Sequence, residues 1–168
     1  MKKLLLIIFF ALSVTAASAQ LSTPDRTAFS IGGELTIPNY GIYSIGTGAS
    51  AKFEFPVAPP ISISLTANIT SVFYHNSILS NYGDSGADVF VPLKAGIKYY
   101  PTSNLYIEGE GGDALELNHT QRRLGLFSIG PGFIIPQSKG GIDIGFRYED
   151  WGGQLKQTMI RFAYRFGL

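Results

Sequence analysis

The residues that could carry chemistry are few and scattered. His75-Asn76-Ser77 sets a base two positions from a hydroxyl. A serine becomes a nucleophile only when a base removes its proton and an acidic group orients that base. No carboxylate falls on a nearby position of the same face, so a polar loop tip is the better reading. His119 stands in Asn118-His119-Thr120, an N-x-T sequon, with no second histidine or cysteine nearby to share a metal. Glu108 and Glu110 share one face of an extended segment, as paired acid–base carboxylates would. Lys94 and Lys98 on the preceding segment make ion pairing the better account. Asp84 and Asp88 flank a Gly-Ser turn without EF-hand spacing. Gly130-Pro131-Gly132 precedes no helix that could hold a phosphate. No catalytic residue, metal ligand or cofactor is expected, and the informative residues are the charged ones and the elements that place them.

The chain starts with Lys2 and Lys3, an apolar run from Leu4 to Leu12, and Ala17-Ser18-Ala19 before Gln20. This is the pattern of a secretory signal peptide over 1–19, leaving 20–168 as one domain. Without Lys2 and Lys3 the balance is 11 basic residues against 12 acidic. A nearly neutral chain lacks the clustered basic excess of a nucleic-acid surface. There is no cysteine, so an exported domain of this size must be held by its own sheet and core. No later apolar run is long enough for a membrane helix. A membrane crossing would therefore require a closed sheet, which satisfies every backbone group in lipid.

Eight segments alternate with a period of two, which places successive side chains on opposite faces of a strand. They are 27–37, 43–55, 61–74, 88–100, 104–112, 123–135, 142–149 and 159–168. The last is the most regular, with Ile160, Phe162, Tyr164, Phe166 and Leu168 opposing Arg161, Ala163, Arg165 and Gly167. Pro131 weakens the sixth. The links 56–60, 101–103 and 136–140 are compact and carry prolines. Those at 75–87 and 113–122 are longer and polar, 150–157 is intermediate, and 38–42 is short. Short turns at one end and longer loops at the other, with an even strand count, are the plan of an antiparallel up-and-down transmembrane barrel.

Charge placement indicates which face points out. No charged residue is read onto the apolar face of any segment. The polar faces hold Glu34, Lys52, Glu54, Lys94, Lys98, Glu108, Glu110, Asp143, Arg147, Glu149, Arg161 and Arg165. An eight-stranded barrel is just wide enough for side chains to fill it. A balanced set inside should therefore pair off and close the lumen, since an unpaired buried charge is costly. Glu34 on the first strand should meet Arg161 or Arg165 on the last. Aromatic girdles are expected from Tyr43, Phe73 and Trp151 toward the loops, and from Phe53, Phe55, Tyr99, Phe133 and Phe166 toward the turns.

With these residues in view, the chain resembles the small eight-stranded outer-membrane barrels. It is most like the "outer membrane protein β-barrel domain" group, with OmpA and OmpX/Ail barrels as architectural relatives. The resemblance implies that the alternating Phe162, Tyr164 and Phe166 form the signal read by the barrel-assembly machinery, although Gly167-Leu168 stands where many members end in Phe. It also implies outer-membrane lipid and lipopolysaccharide as surroundings, Sec-dependent export and no assigned activity. Lipid A deacylase barrels use a His, a Ser and an acidic residue on their outer face, but later in the chain than His75. The leading expectation is a non-enzymatic outer-membrane barrel, structural or recognising an extracellular or envelope partner through its loops. Candidate contacts are Tyr82, Asp84, Arg122, Arg123 and Trp151. A narrow channel, an assembly or secretion accessory, a lipid hydrolase and a soluble lipocalin-like binder are the alternatives.

Overall fold

The computed structural model describes residues 27–75, 86–118, 122–138, 140–153 and 155–168. The signal segment, Ser77, Tyr82, Asp84 and His119 lie outside these residues. Eight strands follow in order: β1 (Ala28–Pro38), β2 (Tyr43–Ala58), β3 (Ile61–Tyr74), β4 (Ala87–Tyr99), β5 (Leu105–Glu116), β6 (Arg123–Gln137), β7 (Gly140–Trp151) and β8 (Leu155–Gly167). Each pairs antiparallel with its neighbours in sequence, and β8 pairs with β1 to close the sheet. Closure gives every strand two hydrogen-bonded neighbours, so no edge is left to attract another chain. The closing register sets Glu34 opposite Arg161 and Ile31 opposite Tyr164.

Several elements are longer than the alternation suggested. β5 continues through Asp113 to Glu116, and β7 and β8 run to within three residues of each other. The expected loop at 150–157 is therefore mostly strand, closed by Gly152 and Gly153 at φ of 61° and 72°. Those angles are in the left-handed region, where glycine alone carries no Cβ penalty. Pro131 does not break β6. It lies opposite Ile107 on β5, while the pairing with β7 lapses between Ile129 and Gly132. Pro92 does the same in β4, where the pairing with β3 skips from Ala67 to Thr70. A missing N–H is tolerated where the ladder is already interrupted.

The two faces differ sharply. Ile31, Leu65, Ile97, Ile129 and Phe162 are all about half exposed on the outside, whereas Lys52, Lys98, Glu108 and Arg161 are buried within. A lipocalin-like barrel would have the opposite arrangement. Two corrections to the outer face follow. Arg123 points outward and meets Asp113 at 2.6 Å, and Lys156 meets Asp150 at 3.7 Å. All four lie toward the loop ends of β5 to β8, so among the described residues the outer face is uncharged only below that level. Tyr43 and Trp151, expected in the outer girdle, instead point inward and are buried. An irregularity between Tyr43 and Ile45 shifts the alternation of β2 and turns Tyr43 in. Phe53, Phe55, Tyr99 and Phe166 are outward at the turn end, as is Phe73 at the loop end.

Candidate functional site

The interior is stacked in three tiers. At mid-height the twelve charged residues read from the sequence come together, each reaching the next across the lumen. Glu110 on β5 is the hub: Arg147 approaches it at 2.8 Å, Lys52 at 3.2 Å and Lys94 at 3.4 Å. Thr66 and Ser128 hydroxyls donate to the same carboxylate at 2.6 and 3.1 Å. From this hub Lys52 reaches Glu108 at 2.5 Å and Lys94 reaches Glu149 at 2.8 Å. Arg147 leads to Glu34 at 3.6 Å, Glu34 to Arg161 at 3.7 Å, and Arg161 to Asp143 at 3.3 Å. Lys98 joins Asp143 at 3.7 Å to Glu54 at 3.1 Å, and Arg165 ends the chain on Glu54 at 3.4 Å. Glu34 thus meets Arg161 across the closing seam, and Arg165 takes a different partner. Lys98, although level with Glu108 in the β4–β5 register, pairs across the lumen with Glu54 and Asp143 instead.

The lower tier, at the turn end, is built from Tyr100, Tyr106 and Ile134. Tyr100 donates its hydroxyl to Glu54, and Tyr106 donates to Asp143 at 2.6 Å. The Tyr106 ring occupies the space over Gly132, where an added Cβ would come within 2.2 Å of ring carbon. Lys98 Nζ stands 4.0 Å from the centre of the same ring, a cation–π distance.

The upper tier is apolar: Tyr43, Val72, Phe90, Ala114, Leu126, Trp151 and Leu155. Phe90 and Trp151 meet edge to face at 5.1 Å, the geometry favoured by aromatic quadrupoles. Trp151 Nε1 donates to Glu149 at 2.9 Å, which ties this tier to the charged one. Tyr43 and Tyr74 stack at 5.1 Å and both donate to Asp88, at 2.5 and 2.7 Å. Trp151 is therefore an interior packing residue and not a loop contact. The alternation held the signal for most of this tier: Phe90 shares parity with Lys94, Trp151 with Glu149, and Leu155 with Arg161.

Above this tier opens a cleft of about 370 Å³ lined by Tyr40, Ile42, Tyr43, Phe90, Arg122, Leu124, Gly153 and Leu155. Arg122 is at the rim with its side chain about half exposed, and its Nε donates to Glu116 at 3.0 Å. That hydrogen bond pushes the guanidinium above its ordinary pKa, so it stays cationic. Of the other residues read as loop contacts, Arg123 lies on the outer wall with Asp113. Phe162, Tyr164 and Phe166 line the outer face of β8, and Tyr164 meets Phe166 at 4.7 Å. His75 is exposed at the end of β3.

A closed eight-stranded sheet with ion pairs inside and aliphatic and aromatic side chains outside has the polarity of a transmembrane β-barrel. Solved structures agree with that class. Ail, the attachment invasion locus protein of Yersinia pestis, superposes with a TM-score of 0.56 at 17% identity, covering 84% of this chain and 98% of Ail. Its backbone structure in a phospholipid bilayer nanodisc matches equally, with a TM-score of 0.56, 14% identity and coverage of 84% and 99%. A de novo designed transmembrane β-barrel matches with a TM-score of 0.51 at 12% identity, covering 87% and 99%. No protein-family model and no curated protein sequence matches the chain.

Proposed function

We propose that this chain is an integral outer-membrane β-barrel with a closed lumen, acting as a structural or recognition protein through its loop end and not as an enzyme. The observation that carries this reading is the polarity of the wall: Ile97 is 61% exposed while Lys98, the next residue, is fully buried. In water that arrangement would expose a belt of aliphatic side chains and bury six cations and six anions for no gain. In a bilayer the belt meets hydrocarbon and the ions meet each other. The three stacked tiers support closure, because side chains occupy the axis at every level. Ail has been solved in complex with the heparin analogue sucrose octasulfate. A barrel of this fold that holds a ligand supports a recognition role for the present chain.

Export by a cleaved signal over 1–19 through the Sec pathway and insertion by the barrel-assembly machinery reading Phe162, Tyr164 and Phe166 belong to the same proposal. So do contacts with outer-membrane lipid, lipopolysaccharide and an extracellular or envelope protein. Membrane fractionation with heat-modifiability on a denaturing gel tests it. The chain should stay with the outer membrane after an alkaline wash and migrate differently unheated and boiled. Recovery as a soluble periplasmic protein with one mobility would overturn the reading.

A further inference from the structure

The cleft above the apolar tier has the properties of a built site. Its floor is Phe90 and Leu155, both buried, with Phe90 resting on Trp151. Its walls are Tyr40, Ile42, Tyr43 and Leu124. Among the described residues that line the space, Arg122 is the one with a charged side chain; Asp88 is covered by two tyrosine hydroxyls and Glu116 is buried behind the guanidinium it accepts from. Small-molecule sites are concave, mostly apolar, of about 300–1,000 Å³, with a few placed polar groups; this cleft fits that description. Its rim is also pinned by backbone hydrogen bonds. Asn39 donates to Lys156 O at 2.6 Å, Tyr43 to Tyr40 O at 3.0 Å, His75 to Ile42 O at 3.0 Å, and Glu116 to Arg122 O at 2.9 Å. A ligand would not have to order this rim, which lowers the entropic cost of binding.

We infer that the loop-end cleft binds a small amphiphilic anion, its flat apolar or aromatic body seated on Phe90 and Leu155 between Tyr40 and Leu124, its anionic group on Arg122. This rests on the outer-membrane barrel reading and gives its recognition role a ligand class. Arg122 uses Nε on Glu116, and its terminal nitrogens are directed to no carboxylate among the described residues. A planar guanidinium presents such nitrogens as a fork that suits carboxylate, sulfonate or phosphate oxygens. The floor of Phe90 and Leu155 disfavours a wholly hydrophilic ligand, because these two side chains offer no hydrogen bond in place of lost water.

The molecule carries its own reporter. Trp151 is the single tryptophan, and it lies one ring beneath the cleft floor. The full chain, refolded into phosphatidylcholine nanodiscs, would be titrated with 1-anilinonaphthalene-8-sulfonate and with uncharged N-phenyl-1-naphthylamine, which has the same ring body. Energy transfer from Trp151 would be read after subtracting empty discs. The expected result is saturable transfer to the sulfonate at one site per barrel. Arg122→Gln should weaken it about tenfold or more, as loss of a charge-assisted hydrogen bond does, and leave the uncharged probe unchanged. Leu124→Phe, which narrows the cleft, should weaken both. If barrels that show the heat-modifiable shift give no saturable transfer, the inference fails while the barrel reading stands. Equal binding of the two probes, or an Arg122→Gln variant that binds the sulfonate normally, overturns the anion assignment. A chain that neither inserts nor shifts on heating sinks the barrel reading itself.

Discussion

Glu110→Gln tests whether the lumen is held by its charges. The substitution is nearly isosteric; its one oxygen accepts from either Thr66 or Ser128, which donate to different oxygens of the carboxylate, and the other hydroxyl rotates to accept from the new amide NH2, so the main loss is one negative charge. Three cations face that charge, but they do not lose equally. Lys52 keeps Glu108 at 2.5 Å and Lys94 keeps Glu149 at 2.8 Å. Arg147 falls back on Glu34 at 3.6 Å, a contact already shared with Arg161. The variant therefore leaves one guanidinium poorly compensated in a buried site. Breaking a buried pair by removing one partner costs about 3–5 kcal/mol, and with a urea slope of about 2–3 kcal/mol per molar the unfolding midpoint should fall by about 1–2 M. Urea titration of the barrel in lipid vesicles, read by Trp151 fluorescence and by the gel shift, measures this directly. The structure also says which second change should compensate. Arg147→Met added to Glu110→Gln should recover about 1 kcal/mol or more relative to additivity, because the two groups share one interaction. Lys94→Met should recover less, since Lys94 still has Glu149. A midpoint that barely moves, or double variants that are both additive, would refute the account of the lumen as a paired network.

Other perturbations probe the remaining tiers and the wall. Ala67→Arg, at the middle of the outer face of β3, should destabilise the barrel in bilayers by about 2–4 kcal/mol, whereas Ile61→Arg at the turn end should cost about 0–1 kcal/mol; equal effects by chemical unfolding would argue against a lipid-facing wall. Tyr106→Phe removes the donor to Asp143 and should cost about 1.5–3 kcal/mol by the same assay. Gly132→Ala should be destabilising in the native background and much less so with Tyr106→Ala, since the clash is with that ring; equal costs in both backgrounds would place the strain elsewhere. In planar bilayers the chain should give no discrete conductance steps, and steps of uniform size would show the lumen open.

Much of this arrangement was legible because β-structure has only two faces. Once Lys94 and Lys98 were assigned inside, parity carried Asp88, Phe90 and Tyr100 in with them, and Glu149 did the same for Trp151. Residue type alone points Trp151 to a girdle, whereas alternation with Glu149 points it inward. Arg123 has the same lesson in reverse, since it shares parity with Phe127 and faces out. Tyr43 was beyond reach, because the irregularity before Ile45 changes the parity without leaving a mark in the local sequence. Pair identity was also hidden. Nearest neighbours on adjacent strands favoured Lys98 with Glu108, but long side chains in a narrow barrel reach across it, and three-dimensional proximity selected Glu54 and Asp143.

The two ends of the lumen explain why twelve charges can be stable at its centre. Each end is lined by rings that also donate hydrogen bonds inward: Tyr100 to Glu54 and Tyr106 to Asp143 below, Trp151 to Glu149 above. In the closed lumen proposed above, the ring bodies keep water from the middle, which strengthens every attraction there, and the polar ring edges supply donors that the carboxylates would otherwise lose with that water. Aliphatic caps would give the first effect without the second. Serines would donate without closing the lumen. Tyrosine and tryptophan do both, so the charged tier and its aromatic ends act as one cooperative unit, and the upper cap is left free to serve as the floor of the loop-end cleft.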